Sequence, residues 1–142
     1  MPFHTPFTLG PFVVAPDGRL THVSSALPAT FSFRWRGRLL RAVMQAGDTL
    51  TLRAVLGRVP STASDQVTGR RQSFGLLRAL GASTPEGWRV ALLPDHRAVL
   101  EATMDLPHPV TATGLLTVIT GFLLRLGPYL DLVDESGMPA QA

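Results

Sequence analysis

Residues 30–36 read Thr-Phe-Ser-Phe-Arg-Trp-Arg, an unbroken alternation of polar and apolar side chains. A period of two is the period of a β-strand, whose successive side chains point to opposite faces. Phe31, Phe33 and Trp35 therefore share one face, and Ser32, Arg34 and Arg36 the other. Gly37 turns the chain, residues 38–44 return as a partner strand, and Ala46-Gly47-Asp48 forms a second turn. Residues 49–56 make a third strand with Leu50, Leu52, Ala54 and Leu56 on one face. The expected unit is an antiparallel meander with one apolar and one wet face.

Around this meander the punctuation is clear. Residues 7–14 predict a strand, Ala15-Pro16-Asp17-Gly18 a turn, residues 19–23 a short return strand and residues 24–29 a linker. Residues 57–60 end the run of strands. Ser61, Thr62 and Ser64 are candidate N-caps, and Asp65 suits the first turn of the helix that follows. Val67, Phe74, Leu77 and either Ala79 or Leu80 recur near helical spacing, and Gly81 is placed to end the helix. Residues 87–93 and 98–106 predict a hairpin about the tip 94–97, with Trp88, Val90 and Leu92 on one side. A last helix is expected over 111–126, stopped by Gly127-Pro128, with residues 129–133 as a short docked extension. Its apolar residues, from Leu115 and Leu116 through Val118 to Leu126, cover more than one buried stripe requires. Such a helix is either internal or shared with a second subunit.

The fold expected is therefore α+β: an antiparallel sheet in β-β-β-α-β-β-α order, with an additional N-terminal β hairpin, packed against two helices. One domain spans 1–142, comprising a β-rich extension (1–29), an α+β core (30–130) and a loose tail (134–142). The 142 residues, 45% of them hydrophobic, suffice for a core without staples. Absence of cysteine excludes disulfides, thiolate metal sites and a cysteine nucleophile. The opening stretch MPFHTPFTLGPF has no basic region followed by a long apolar run, so no secretory leader is expected, and residues 110–126 are short for a membrane span. A cytoplasmic protein without a membrane partner is the expectation. Net charge is +3 and all 13 basic residues are arginine, a modest excess that points only weakly to acidic partners.

Catalytic motifs are missing. No GxSxG, Walker loop, GxGxxG or HExxH occurs. His4, His22, His96 and His108 are scattered, and Asp95-His96 reads as a turn dipeptide. Asp131, Asp134 and Glu135 read as a solvated acidic end. The chain is thus not expected to be an enzyme or to hold a cofactor or metal. Two surfaces remain. Arg34, Arg36, Arg38 and Arg41 suggest a basic outer sheet face, the basis of an alternative reading as a nucleic-acid-binding module. The aromatics of the same strand point to the opposite face, so the two sets cannot form one stacking platform. Leu116, Ile119, Phe122, Leu123 and Leu126 of the last helix are candidates for a dimer or partner surface.

Two stretches sharpen the order of elements. LTLRAVLGRVP (50–60) is an apolar strand ending in Leu-Gly-x-x-Pro before a helix. WRVALLPDHRAVLEATMDLP (88–107) is a strand, a polar turn, an aliphatic strand and a proline leading into the last helix. Together they resemble the type III secretion chaperone-like fold, shared by the small effector chaperones and the YbjN family, over roughly residues 30–130. The resemblance implies a homodimer without catalytic residues that holds a segment of another protein, with Gly57 and Pro60 marking the strand exit. This chain departs from that family in opening with a β segment instead of a helix and in being basic instead of acidic.

Overall fold

The computed structural model describes residues 5–22, 29–45, 48–60 and 67–138. The chain is an α+β protein. Three short strands, β1 (Phe7–Leu9), β2 (Phe12–Val14) and β3 (Leu20–His22), form an N-terminal antiparallel sheet in that order. The second sheet contains β4 (Ala29–Trp35), β5 (Arg38–Gln45), β6 (Thr49–Arg58), β7 (Trp88–Leu92) and β8 (Arg97–Asp105) in the order β4-β5-β6-β8-β7, with every pair antiparallel. Helix α1 (Val67–Ala82) connects β6 to β7, and α2 (Ala112–Ser136) follows β8. The N-cap candidates Ser61, Thr62 and Ser64, with Asp65, lie outside the described residues.

Burial follows the alternation. Leu40, Ala42 and Met44 of β5, Leu50, Leu52, Ala54 and Leu56 of β6, and Ala98, Leu100 and Ala102 of β8 are buried beneath the helices. Phe31, Phe33 and Trp35 stand on the same face, but edge strand β4 leaves them only partly covered. Trp35 is thus half-buried, where the shared aromatic face predicts deeper burial. A bulge between Val55 and Gly57 shifts the β6–β8 register, and the strand continues to Arg58 instead of ending at residue 56.

The N-terminal segment departs from a simple hairpin. Residues 7–14 do not form one strand: Leu9 pairs with Phe12 across a two-residue loop, with Gly10 at φ 56. A II′ turn reserves that position for glycine. The small sheet joins the common core, because Phe12 packs edge-on against Phe31 with ring centroids 6.1 Å apart. It also meets the start of α2, where the Leu20 amide donates to the Val110 carbonyl and the Ala112 amide to the Gly18 carbonyl, both at 2.9 Å.

Helix α1 runs through Gly81. It closes instead on Ser83 and Thr84, whose hydroxyls donate to the Leu80 and Gly81 carbonyls. Helix α2 begins at Thr111, whose hydroxyl accepts the Gly114 amide at 3.0 Å. It does not stop at Gly127-Pro128. Eight further residues, 129–136, stay helical and end on Gly137 at φ 78, and Met138 beyond it is buried. Burial explains the persistence. Leu130 and Val133 continue the stripe of Leu115, Ile119, Phe122 and Leu126, and each is fully enclosed. Two such side chains contribute about 1.5–3 kcal/mol apiece, against roughly 3 kcal/mol for an interior proline and about 1 for a glycine. Trp88 pins the middle of the helix to β7, with ring centroids 4.9 Å from Phe122 and 6.0 Å from Tyr129. Residues 134–136, expected in a loose tail, are its last turn.

Candidate binding surfaces

The four arginines of residues 34–41 separate into two groups. Trp35 pairs with Arg38 across a two-residue loop in which Arg36 (φ 52) and Gly37 (φ 74) are both left-handed, the I′ pattern. Cross-strand partners share a face, so Arg38 falls beside Trp35 on the core side. It is 3% exposed. Its Nε donates to the Leu56 carbonyl at 3.1 Å, Nη1 to the Arg36 carbonyl at 3.3 Å and Nη2 to Asp134 Oδ1 at 2.5 Å. Arg36 sits at the hairpin tip and also faces α2, donating through Nη2 to Asp131 (2.8 Å) and Asp134 (3.1 Å) and through Nη1 to the Gly127 carbonyl (3.3 Å).

The expected basic face therefore loses Arg36 and Arg38, and the expected solvated acidic end is a clamp joining α2 to the β4–β5 hairpin. The hydrogen bond from Arg38, reinforced by the charges of Arg38 and Arg36, holds the Asp134 carboxyl below the usual carboxylate range. The hydrogen bond to Asp131 raises the Arg36 guanidinium above its ordinary value despite some desolvation.

Arg34 and Arg41 do stand on the outer face, both exposed. There they join residues that the sequence does not single out. Arg41 lies directly opposite Arg53 on β6, Arg53 opposite Glu101 on β8, and Glu101 opposite Arg89 on β7. Arg53 donates to Glu101 Oε2 from both Nε (3.2 Å) and Nη2 (2.7 Å), and Arg89 approaches the same oxygen at 3.3 Å. Partial burial pushes the Glu101 carboxyl up, but its bonds and charge interactions with the two arginines outweigh that and leave it lowered. Arg41, Arg53, Glu101, Thr51 and Thr103 line a shallow concavity of about 380 Å³. The signal for Arg53 was present in the sequence: it is off-register from Leu50, Leu52 and Ala54. The row itself depends on strand order, which places β8 beside β6.

Of the residues expected on a partner surface of α2, Ile119, Phe122 and Leu126 are core, Leu123 is half-buried, and only Leu116 is freely exposed, at 55%. Leu124, at 72%, points away from the protein, and Thr113, Thr117, Thr120 and Gly121 form a shallow trough beside it. Leu116 also borders an apolar cleft of about 120 Å³ between the β1–β2 turn, Phe31 and the start of α2. By length and composition α2 would pass for a membrane span, yet its inner stripe is enclosed by the sheet.

Histidine chemistry has little support. Asp95 is taken by Arg97 at 2.6 Å, which together with the Arg97 amide lowers its carboxyl, the amide bond contributing most. His108 Nδ1 meets Asp48 at 2.6 Å, but the imidazole is 81% exposed with no nucleophile bonded to it among the described residues. His4 lies outside the described residues, as does the side chain of His22. Among the described residues no three of His, Cys, Asp and Glu gather as a metal site would require. No protein-family model matches this chain, and no curated protein matches it either.

Proposed function

We propose that this chain is a non-enzymatic, chaperone-like protein-binding module that dimerises through the outer face of α2 and holds a partner polypeptide. The observation that carries the reading is Leu124, a large apolar side chain 72% exposed on helix α2, beside a trough of threonines and a glycine. Small residues let a second helix approach closely. A two-fold contact uses each residue twice. Burying the exposed parts of Leu116 and Leu124 of both protomers is worth roughly 4–8 kcal/mol in gross terms, no more than the cost of association. The dimer is accordingly concentration-dependent. The neighbouring apolar cleft is large enough to accept one aliphatic or aromatic side chain of a partner.

Light scattering across a dilution series tests this. The expected result is a dimer that dissociates on dilution, with Leu124→Glu monomeric throughout; a wild-type monomer at the highest concentration would overturn the reading. The nucleic-acid alternative is less well supported, because the aromatics that would stack on bases face the core side, apart from the exposed arginines.

A further inference from the structure

We propose that the outer face of the five-stranded sheet is a binding site for an acidic peptide segment, gripped by Arg34, Arg41 and Arg53. The proposal rests on the reading of the chain as a protein-binding module, but it uses a different face and names the chemistry of the partner.

Arg41 and Arg53 are directly opposed on adjacent strands. Like charges so placed repel and weaken the sheet. Among the described residues nothing relieves Arg41. The one carboxylate of the row, Glu101, is already shared by Arg53 and Arg89, and among the described residues the side chains of Arg34 and Arg41 have no hydrogen-bond or ion-pair partner. Arrangements that oppose folding without local compensation concentrate at functional sites. An incoming carboxylate between Arg41 and Arg53 would remove the repulsion that the free protein carries.

The spacing fits an extended peptide. Ser32 pairs with Arg41 and Arg34 lies two residues further along β4, so Arg34 and Arg41 are diagonal neighbours, about 7–8 Å apart at Cα. Acidic side chains at i and i+2 of an extended chain share one face and are separated by roughly 6.5–7 Å. Two alternate carboxylates can therefore reach Arg34 and Arg41 together, with Arg53 beside the second. Arg53 gives Nε and Nη2 to a single oxygen of Glu101, so of its five N–H donors the two on Nη1 remain for a peptide carboxylate. The hydroxyls of Thr51 and Thr103, 3.4 Å apart in the same concavity, can meet peptide polar groups. A nucleic acid fits less well: among the described residues no aromatic side chain of the strands stands on this face to stack on a base.

The test is fluorescence anisotropy of the full-length chain with a labelled peptide carrying glutamate at alternate positions, and with a labelled oligothymidylate of equal charge. The peptide is expected to bind, to weaken with added salt, and to lose affinity by about tenfold in Arg41→Glu and in Arg34→Glu. Both side chains are exposed, so both variants should fold, which circular dichroism checks. Arg78→Glu, on α1, should bind as the wild type does. Equal weakening in Arg78→Glu would show attraction by net charge alone and overturn the site. Tighter binding of the oligothymidylate at the same salt would overturn it in favour of nucleic acid. No peptide binding by a chain that still dimerises overturns this site alone, whereas no binding by a monomeric chain overturns the protein-binding reading with it.

Discussion

Arg38 shows how one turn decides the fate of a side chain. With Gly37 alone as the turn, Arg38 falls among the exposed arginines; with Arg36 and Gly37 both in the loop, it pairs with Trp35 and is carried into the core. A buried guanidinium must be matched, and two carbonyls and Asp134 match it. Arg38→Ala would strand those acceptors and is expected to cost roughly 2–3 kcal/mol in urea unfolding, whereas Arg38→Met, which refills the volume, should cost less. A pH dependence follows from Asp134. Its folded pKa is depressed by Arg38, so its contribution is present above the unfolded value of about 4 and is lost as the pH falls through the lower folded value. Urea unfolding should therefore weaken more from pH 7 to pH 3 in the wild type than in Asp134→Asn; equal losses would show that the clamp does not respond to acid. The pairing of Arg38 with Asp134 was not legible in the sequence, because the two are 96 positions apart.

At the scale of elements, strands were easier to read than helices. Strict alternation marks β4 and β6, and the apolar sides assigned to them are the sides the helices cover. The end of α2 could not be read locally. Gly127-Pro128 is a stop signal by propensity, and what overrides it is burial of Leu130 and Val133 against a sheet made of distant residues. The two ends of α2 make separate contributions. Thr111→Ala removes the acceptor for the Gly114 amide and is expected to cost about 1 kcal/mol. Pro128→Ala restores an amide donor inside the helix and should raise the unfolding midpoint. A lowered midpoint would mean that the packing around residues 124–130 depends on the ring.

At the scale of the whole molecule, the fold divides its surfaces by chemistry. The five-stranded sheet spends its inner face on α1 and α2 and leaves an arginine-rich outer face; α2 spends one stripe on the core and leaves Leu124 outside. Leu124→Glu should thus abolish dimers while changing monomer stability by no more than about 0.5 kcal/mol, since it touches no core contact. The same variant should bind the acidic peptide, because the two faces lie on opposite sides of the sheet–helix layers. A monomer that is also strongly destabilised would place Leu124 in the core's energetics and not at an interface.

Period and punctuation, both local properties, already dictated an α+β chain with a meander, a central helix, a hairpin and a last helix. They could do so because side-chain alternation and turn chemistry act between neighbours. Which arginines are exposed, how far α2 runs, and the meeting of Arg41, Arg53, Glu101 and Arg89 in one row were settled by strand register and order. Those are properties of residues far apart in the chain, brought within a few ångströms only when the sheet closes around its core.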